Sequence, residues 1–307
     1  MTVKFQYLVR LLMLLSFIPG QSVSAQYNSD TLFLDDSRFS KDLEKKVLHA
    51  FDLYKGKTIL QLQNEVSSVK EGISAKRKIK SSKENAILTA EQLYEQRKRA
   101  VMIVGRINNS SGADNEAKAD LFATAFVISE DGLCITNRHV FAELLTTHSE
   151  KDAINNQKDK STYFVLSYDG DVYFIDQVQA YSTVNDILIF TIKGAGKKLP
   201  YIPLGEALLP AAPVYIIAHP DNNYFYFSQG VVAKNSLVVQ PDSTQRQWRM
   251  VVSADYAVGS SGGPIMGQSG NLAGIVSTTR NIYADNRSPQ MVLKNAISVL
   301  AIKNLLN

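Results

Sequence analysis

The sequence predicts an all-β protein, a barrel or sandwich of about a dozen strands with little helix inside the strand-rich part. Three observations predict it. From Ala100 onward, short apolar runs alternate with turn residues, at 100–106, 121–128, 133–136, 162–167, 171–175, 186–192, 213–218, 224–228, 230–233, 249–253, 272–277 and 290–294. Asp131-Gly132 and Asp169-Gly170 each separate two such runs, and this dipeptide supplies the left-handed backbone of a hairpin turn. No strand–helix–strand alternation is visible, which argues against a parallel α/β sheet and against the lipase or esterase class built on one. Within this part, helix is expected only after His139 and over 297–306.

The elements in order begin with a targeting signal. Lys4 and Arg10 precede an apolar run at 11–18, and Val23-Ser24-Ala25 follows. A basic start, a short apolar stretch and small residues before a cut predict a secretory signal peptide over 1–25. The run is shorter than the ~20 residues of a membrane span, so no stable membrane anchor is expected after cleavage. Export to the periplasm or beyond is the expected localisation. Removing Lys4 and Arg10 leaves 31 basic against 29 acidic residues, a balance that gives no reason to expect nucleic acid. The single cysteine excludes an internal disulfide, so core burial must stabilise the chain. Cys134 lies in an apolar run and reads as a small buried hydrophobe, not a nucleophile. The four histidines are scattered and the cysteine is alone, so neither a metal cluster nor a cofactor is expected.

Residues 26–94 read as a helical segment and 95–307 as the main domain. Leu43, Val47 and Phe51 have helical spacing, and Ile59, Leu62, Val66, Val69 and Ile73 continue it in steps of three and four. The second series predicts a helix docked on the body, with a dimerising coiled coil as the alternative. Lys76, Arg77, Lys78, Lys80 and Lys83 form a basic run between serines, a solvated linker or else a processing or anion-contact site. Thr89 with Gln92 makes a capping box that opens a helix to about Arg99.

The chemistry concentrates in the octet Ala257-Val-Gly-Ser-Ser-Gly-Gly-Pro264. Its glycines suit a tight loop whose N–H groups converge on one point beside a hydroxyl, as acyl transfer to serine requires. A base must then come from His49, His139, His148 or His219. His49 falls in the helical segment, His148 in a polar loop, and His219 at a strand end where a structural role fits better. His139 leaves a strand–turn–strand unit directly into a loop, a good mount for a general base.

The segment from Ala123 to Val140 resembles the histidine motif of trypsin-like serine peptidases, closest to the bacterial branch of HtrA-type and V8-type glutamyl endopeptidases. Asn185-Asp186-Ile187-Leu188-Ile189 resembles the aspartate motif of that family, and Gly259-Ser260-Ser261-Gly262-Gly263-Pro264 its serine motif. The order His, Asp, Ser is the chymotrypsin-type order. The resemblance covers about 95–307 and implies a double β-barrel with an N-terminal helical appendage and a C-terminal helix. It implies Ser261 as nucleophile, His139 as base and Asp186 as the acid that orients it. It also implies an oxyanion hole from the N–H groups of Gly259 and Ser261, with Ser260 a less suitable nucleophile by register. Protein or peptide is the implied substrate, and activity should rise with pH as the base loses its proton. The other class is a catalytically silent barrel that binds peptides or partners.

Two departures from the family pattern stand out. Ser260 occupies the position where many digestive relatives carry the aspartate of the zymogen switch, so activation control falls to 26–94, a candidate propeptide or regulatory clamp over the site. Asp255 lies six residues before Ser261, where trypsin-type members carry the pocket-floor carboxylate, and taken literally predicts basic P1 residues. It reads equally as a structural residue. Thr279 stands where an open pocket has glycine, and Ser277, Thr278 and Thr279 are expected to pair with the substrate backbone. The strand lacks the histidine of glutamyl-specific members, and the sequence leaves the oligomeric state open.

Overall fold

The computed structural model describes residues 36–54, 56–73, 79, 86–108, 117–145, 160–193, 198–239, 246–285 and 288–306. The signal segment, the basic residues Lys76, Arg77, Lys78, Lys80 and Lys83, and His148 lie outside the described residues. Among the described residues, the α-helices α1 (Asp36–Tyr54), α2 (Ile59–Val66) and α3 (Ala90–Arg97) precede the strands. The first six strands are β1 (Val101–Asn108), β2 (Lys118–Val127), β3 (Leu133–Thr136), β4 (Thr162–Ser167), β5 (Val172–Ser182) and β6 (Ile187–Ile192). The second six are β7 (Pro213–Ala218), β8 (Tyr226–Val239), β9 (Arg246–Val252), β10 (Pro264–Met266), β11 (Leu272–Tyr283) and β12 (Pro289–Ser298), and α4 (Val299–Leu306) follows them.

The strands close into two barrels, in the order β1-β2-β3-β6-β5-β4 and β10-β11-β12-β9-β8-β7, and the ladders between them are antiparallel. Closure removes exposed sheet edges. Gly132 and Gly170 take positive φ of 88° and 82° at the two turns the Asp-Gly dipeptides mark. β3, β4 and β6 are buried along their whole length, which is why they read as unbroken apolar runs. Cys134, Leu188 and Phe190 pack inside the first barrel, and Val214, Ile265, Val276 and Ala296 inside the second. Burial raises the Cys134 thiol far above its ordinary pKa, so it stays neutral filler.

Three departures from the sequence pattern have physical reasons. The runs at 224–228 and 230–233 form a single strand, because Gly230 is not a turn. A Cβ there would lie 2.3 Å from the Ala254 nitrogen, so glycine lets two backbones meet. β10 escaped the pattern because three residues that begin with a proline are too few to alternate. The helical stripe from Ile59 stops at Val66. The Ser67 and Ser68 hydroxyls donate to the carbonyls of Asn64 and Glu65, closing the helix end, and Ile73 is exposed.

Both α2 and α3 open on capping boxes. Thr89 Oγ1 accepts from Gln92 N at 3.2 Å while Gln92 Oε1 accepts from Thr89 N at 3.0 Å, and Thr58 with Gln61 repeats the arrangement. One compact unit runs from Ser40 to Asn307. Within it Ile59, Leu62 and Val66 join the same apolar cluster as Val140, Phe141, Leu144 and Tyr163, so α2 is part of the wall of the first barrel.

Candidate active site

β3 ends at Thr136 and the chain turns at once into Asn137-Arg138-His139. Two residues on, Phe141 is fully buried and stacks edge-on against Tyr163 and Phe190, with ring centres 4.8 and 5.4 Å away. That anchor leaves the His139 side chain 45% exposed at the barrel rim. The tight turn between β5 and β6 supplies Asp186. His139 Nδ1 lies 2.8 Å from Asp186 Oδ2, and the His139 N–H donates to Asp186 Oδ1 at 3.0 Å. A carboxylate only accepts, so Nδ1 carries the proton and Nε2 presents a lone pair outward.

Asp186 sits in the left-handed region at φ 55°, a conformation that costs a side chain about 1–3 kcal/mol. Its surroundings hold it there. The Asp186 carbonyl accepts from Arg138 N at 3.2 Å and from Asn137 Nδ2 at 3.1 Å. From the second barrel, Arg249 donates to the carbonyls of Val184 at 2.8 Å and Asn185 at 3.4 Å. Burial draws the Arg249 guanidinium below its ordinary pKa while the Asp186 charge opposes that shift. Ser277, at a bulge in the β11–β12 ladder, donates its hydroxyl to Asp186 Oδ2 at 3.4 Å.

The loop from Ala257 to Gly263 is shaped by glycine. Gly259 has φ 91°, and a Cβ there would come within 2.3 Å of the His219 carbonyl. Gly262 has φ 84°, and a Cβ would strike Thr136 Oγ1 at 2.1 Å and the Thr124 carbonyl at 2.2 Å. Thr124 of β2 clasps this loop across the barrel interface: its N–H donates to the Ser261 carbonyl at 3.0 Å and its hydroxyl to the Gly259 carbonyl at 2.9 Å. Gly262 N donates to the Val276 carbonyl at 3.3 Å, so Ser261 stands one residue from β11, and Ser277 connects β11 to Asp186. The N–H groups of Gly259 and Ser261 have no acceptor among the described residues. Ser261 is partly exposed, whereas Ser260 is buried and its Oγ accepts from Ala257 N at 3.4 Å. No hydrogen bond joins Ser261 to His139 among the described residues. Apo sites often leave that contact long.

The other expected positions fall as follows. His49 is exposed on α1. His219 is buried; its Nδ1 accepts from Phe225 N at 2.9 Å, and burial lowers its pKa to about 3 against a weak opposing pull from the Met102 backbone. It is a structural histidine. Thr278 and Thr279 are exposed beside the loop on β11, in reach of an added strand. The Asp255 side chain is 82% exposed with its Oδ1 3.6 Å from Lys294 Nζ, which favours the structural reading of this residue over the pocket floor. Tyr256 occupies the interior in its place, with its hydroxyl donating toward the Thr278 and Asn295 carbonyls at 3.2 and 2.5 Å. Sequence reasoning missed Thr124, Tyr256 and Lys294, since only strand register brings them to the loop.

Residues 123–275 match the family model of the trypsin-like peptidase domain. No curated protein matches the chain in sequence. Among solved structures, the HtrA-type protease AlgW with a decapeptide is similar at 16% identity and a TM-score of 0.53, over 71% of this chain and 66% of that one. Deg5 is similar at 18% identity and a TM-score of 0.51, over 69% of this chain and 88% of its own. The chain thus spans just under two thirds of AlgW. At such identities the likeness is one of fold. These findings define a trypsin-like peptidase domain over residues 123–275 and a double-barrel fold resembling that of HtrA-type proteases.

Proposed function

We propose that the protein is an exported serine endopeptidase that cuts peptide bonds through His139, Asp186 and Ser261. The observation that carries the proposal is the 2.8 Å contact of His139 with Asp186, linked by Ser277 to the strand beside the Ser261 loop. Ser261 Oγ attacks the scissile carbonyl while His139 Nε2 takes its proton, and Asp186 stabilises the imidazolium. The oxyanion is received by the N–H groups of Gly259 and Ser261, and one such donor is worth roughly 100- to 1,000-fold in rate. Histidine then protonates the leaving amine, and water, deprotonated by the same histidine, frees the acyl group. The decapeptide on AlgW supports a peptide as substrate.

The test is labelling by a fluorophosphonate probe. The mature protein should label, and Ser261→Ala should not. Equal labelling of both proteins would exclude the mechanism and favour the silent, peptide-binding barrel. Export is tested separately, by sequencing the N-terminus of the secreted protein, which should begin at Gln26.

A further inference from the structure

Lys294 is left without a role by that chemistry. It stands on β12 directly across from Thr279 of β11, with its side chain only 16% exposed. Its Nζ donates to the Tyr256 carbonyl at 2.5 Å, lies 5.2 Å from the centre of the Tyr256 ring and 3.6 Å from Asp255 Oδ1. The ammonium therefore rests on the segment that runs from Asp255 up to Ser261, and its strand is paired with the one that carries Ser277 to Thr279. Tyr256 lies beneath, and its hydroxyl ties the Thr278 and Asn295 carbonyls together.

The ammonium has three donors, and the Tyr256 carbonyl uses one. Asp255 is a loose partner, because a carboxylate so exposed and so distant gains little from the pair. A mostly desolvated cation with a replaceable counter-ion is poised to receive another carboxylate. A substrate that adds as a strand along 277–279 alternates its side chains between the two faces. On this geometry the P1 side chain, next to the bond that Ser261 attacks, is directed at the face where Lys294 pairs with Thr279. There it meets a cation.

Resting on the serine endopeptidase reading above, we infer that the enzyme selects acidic P1 residues, glutamate or aspartate, with Lys294 as the specificity-determining residue. Asp255 is its counter-ion in the free enzyme and yields to the substrate. This reverses the basic preference that the position of Asp255 alone suggests. A P1 lysine would set two cations together, and an apolar P1 would cover the ammonium without supplying a partner.

Three peptides identical except for P1 glutamate, glutamine or lysine test this. In kcat/KM, glutamate should exceed glutamine by ~10- to 100-fold, the yield of one charged hydrogen bond, with lysine slowest. Lys294→Met keeps the apolar stem over Tyr256 and should bring the glutamate-to-glutamine ratio close to one. Asp255→Asn removes the competing carboxylate and should raise the ratio. Added salt should lower it in the unaltered protein, a readout that needs no variant to fold. A ratio near one in the unaltered protein, a preference for lysine, or a ratio that survives Lys294→Met overturns the assignment. If Ser261-dependent labelling persists with no acidic preference, the specificity alone falls. If that labelling and all cleavage are absent, both readings fall.

Discussion

The two barrels support the site in opposite ways. The first barrel carries His139 and Asp186, and it is braced from behind by the segment that precedes it in sequence. Gln63 of α2 donates to the Glu143 carbonyl at 2.9 Å, Arg106 and Tyr163 hold the Glu143 carboxylate at 2.8 and 2.9 Å, and Ile59, Leu62 and Val66 pack beneath the turn that follows His139. Further along, Glu71 accepts from Thr183 N at 2.9 Å and Gly72 N donates to the Tyr181 carbonyl at 3.0 Å, fixing the turn that presents Asp186. The second barrel carries Ser261 on a loop shaped by glycine backbone and the two bonds from Thr124. Beyond the site its hairpins leave Leu237, Val239, Tyr283 and Met291 exposed. The lesson is that His139 is positioned by packing behind its turn, whereas the Ser261 loop is positioned by backbone conformation. The two should break differently.

The largest effect is expected at Gly262, where backbone conformation has no substitute. Alanine at a φ of 84°, with a Cβ 2.1 Å from Thr136 Oγ1, must displace the loop or the β2–β3 hairpin. Gly262→Ala should reduce probe labelling on the order of 100-fold or more, equal to about 3 kcal/mol of lost transition-state stabilisation. Labelling within a few-fold of the parent would show that the loop is not held by this contact.

Next comes the brace. A chain beginning at Leu88 loses Leu43, Val47, Ile59, Leu62 and Val66, five buried side chains worth about 1.5–3 kcal/mol each, a sum comparable to the net stability of a domain. It should melt at lower temperature and label more slowly. This is opposite to the expectation for an inhibitory clamp, which predicts faster labelling. Leu62→Ala is the milder version, at about 2–5 kcal/mol in denaturant unfolding. Faster labelling by the shortened chain would restore the clamp and dismiss the brace.

A smaller effect separates the two modes of support. Thr124→Val keeps the shape of a buried side chain and deletes its hydrogen bond to the Gly259 carbonyl. Such a bond contributes about 0.5–1.5 kcal/mol, so under the proposed mechanism, in which the Gly259 and Ser261 donors act in the transition state, kcat should fall roughly 2- to 10-fold with KM nearly constant. A change confined to KM would place Thr124 in substrate binding instead.

What the sequence discloses follows the same division. Local signals were legible: the Asp-Gly turns, the Thr89 capping box, the buried runs of β3, β4 and β6, and the three motifs of the site. Features that depend on which strands become neighbours were not. Asp255 was placed by counting from Ser261, but the direction of its side chain follows from Lys294, which the pairing of β11 with β12 brings opposite Thr279. Thr124 sits in a plain strand, and nothing in its neighbours marks it as the clasp of a loop 135 residues away. The α2 stripe announced a docked helix without announcing its dock, since apolar spacing is the same whatever it packs against.

The smallest effect at neutral pH, and the one that grows in acid, concerns His219. It packs behind the loop, where its carbonyl faces Gly259 and its ring accepts from Phe225 N. Burial holds its folded pKa at about 3, below the ordinary 6.5, so the imidazole is neutral in the folded protein. The stability this lends is complete above pH 6.5 and is lost as pH falls toward 3, because the unfolded chain binds the proton that the fold refuses. His219→Asn retains an acceptor for Phe225 N and removes the titration. Its unfolding free energy should decline less steeply between pH 6.5 and 3 than that of the parent, each pH unit of difference being worth up to about 1.4 kcal/mol. Parallel urea-midpoint curves for the two proteins across that range would assign acid sensitivity to other groups, and the second barrel would then owe its loop to glycine and Thr124 alone.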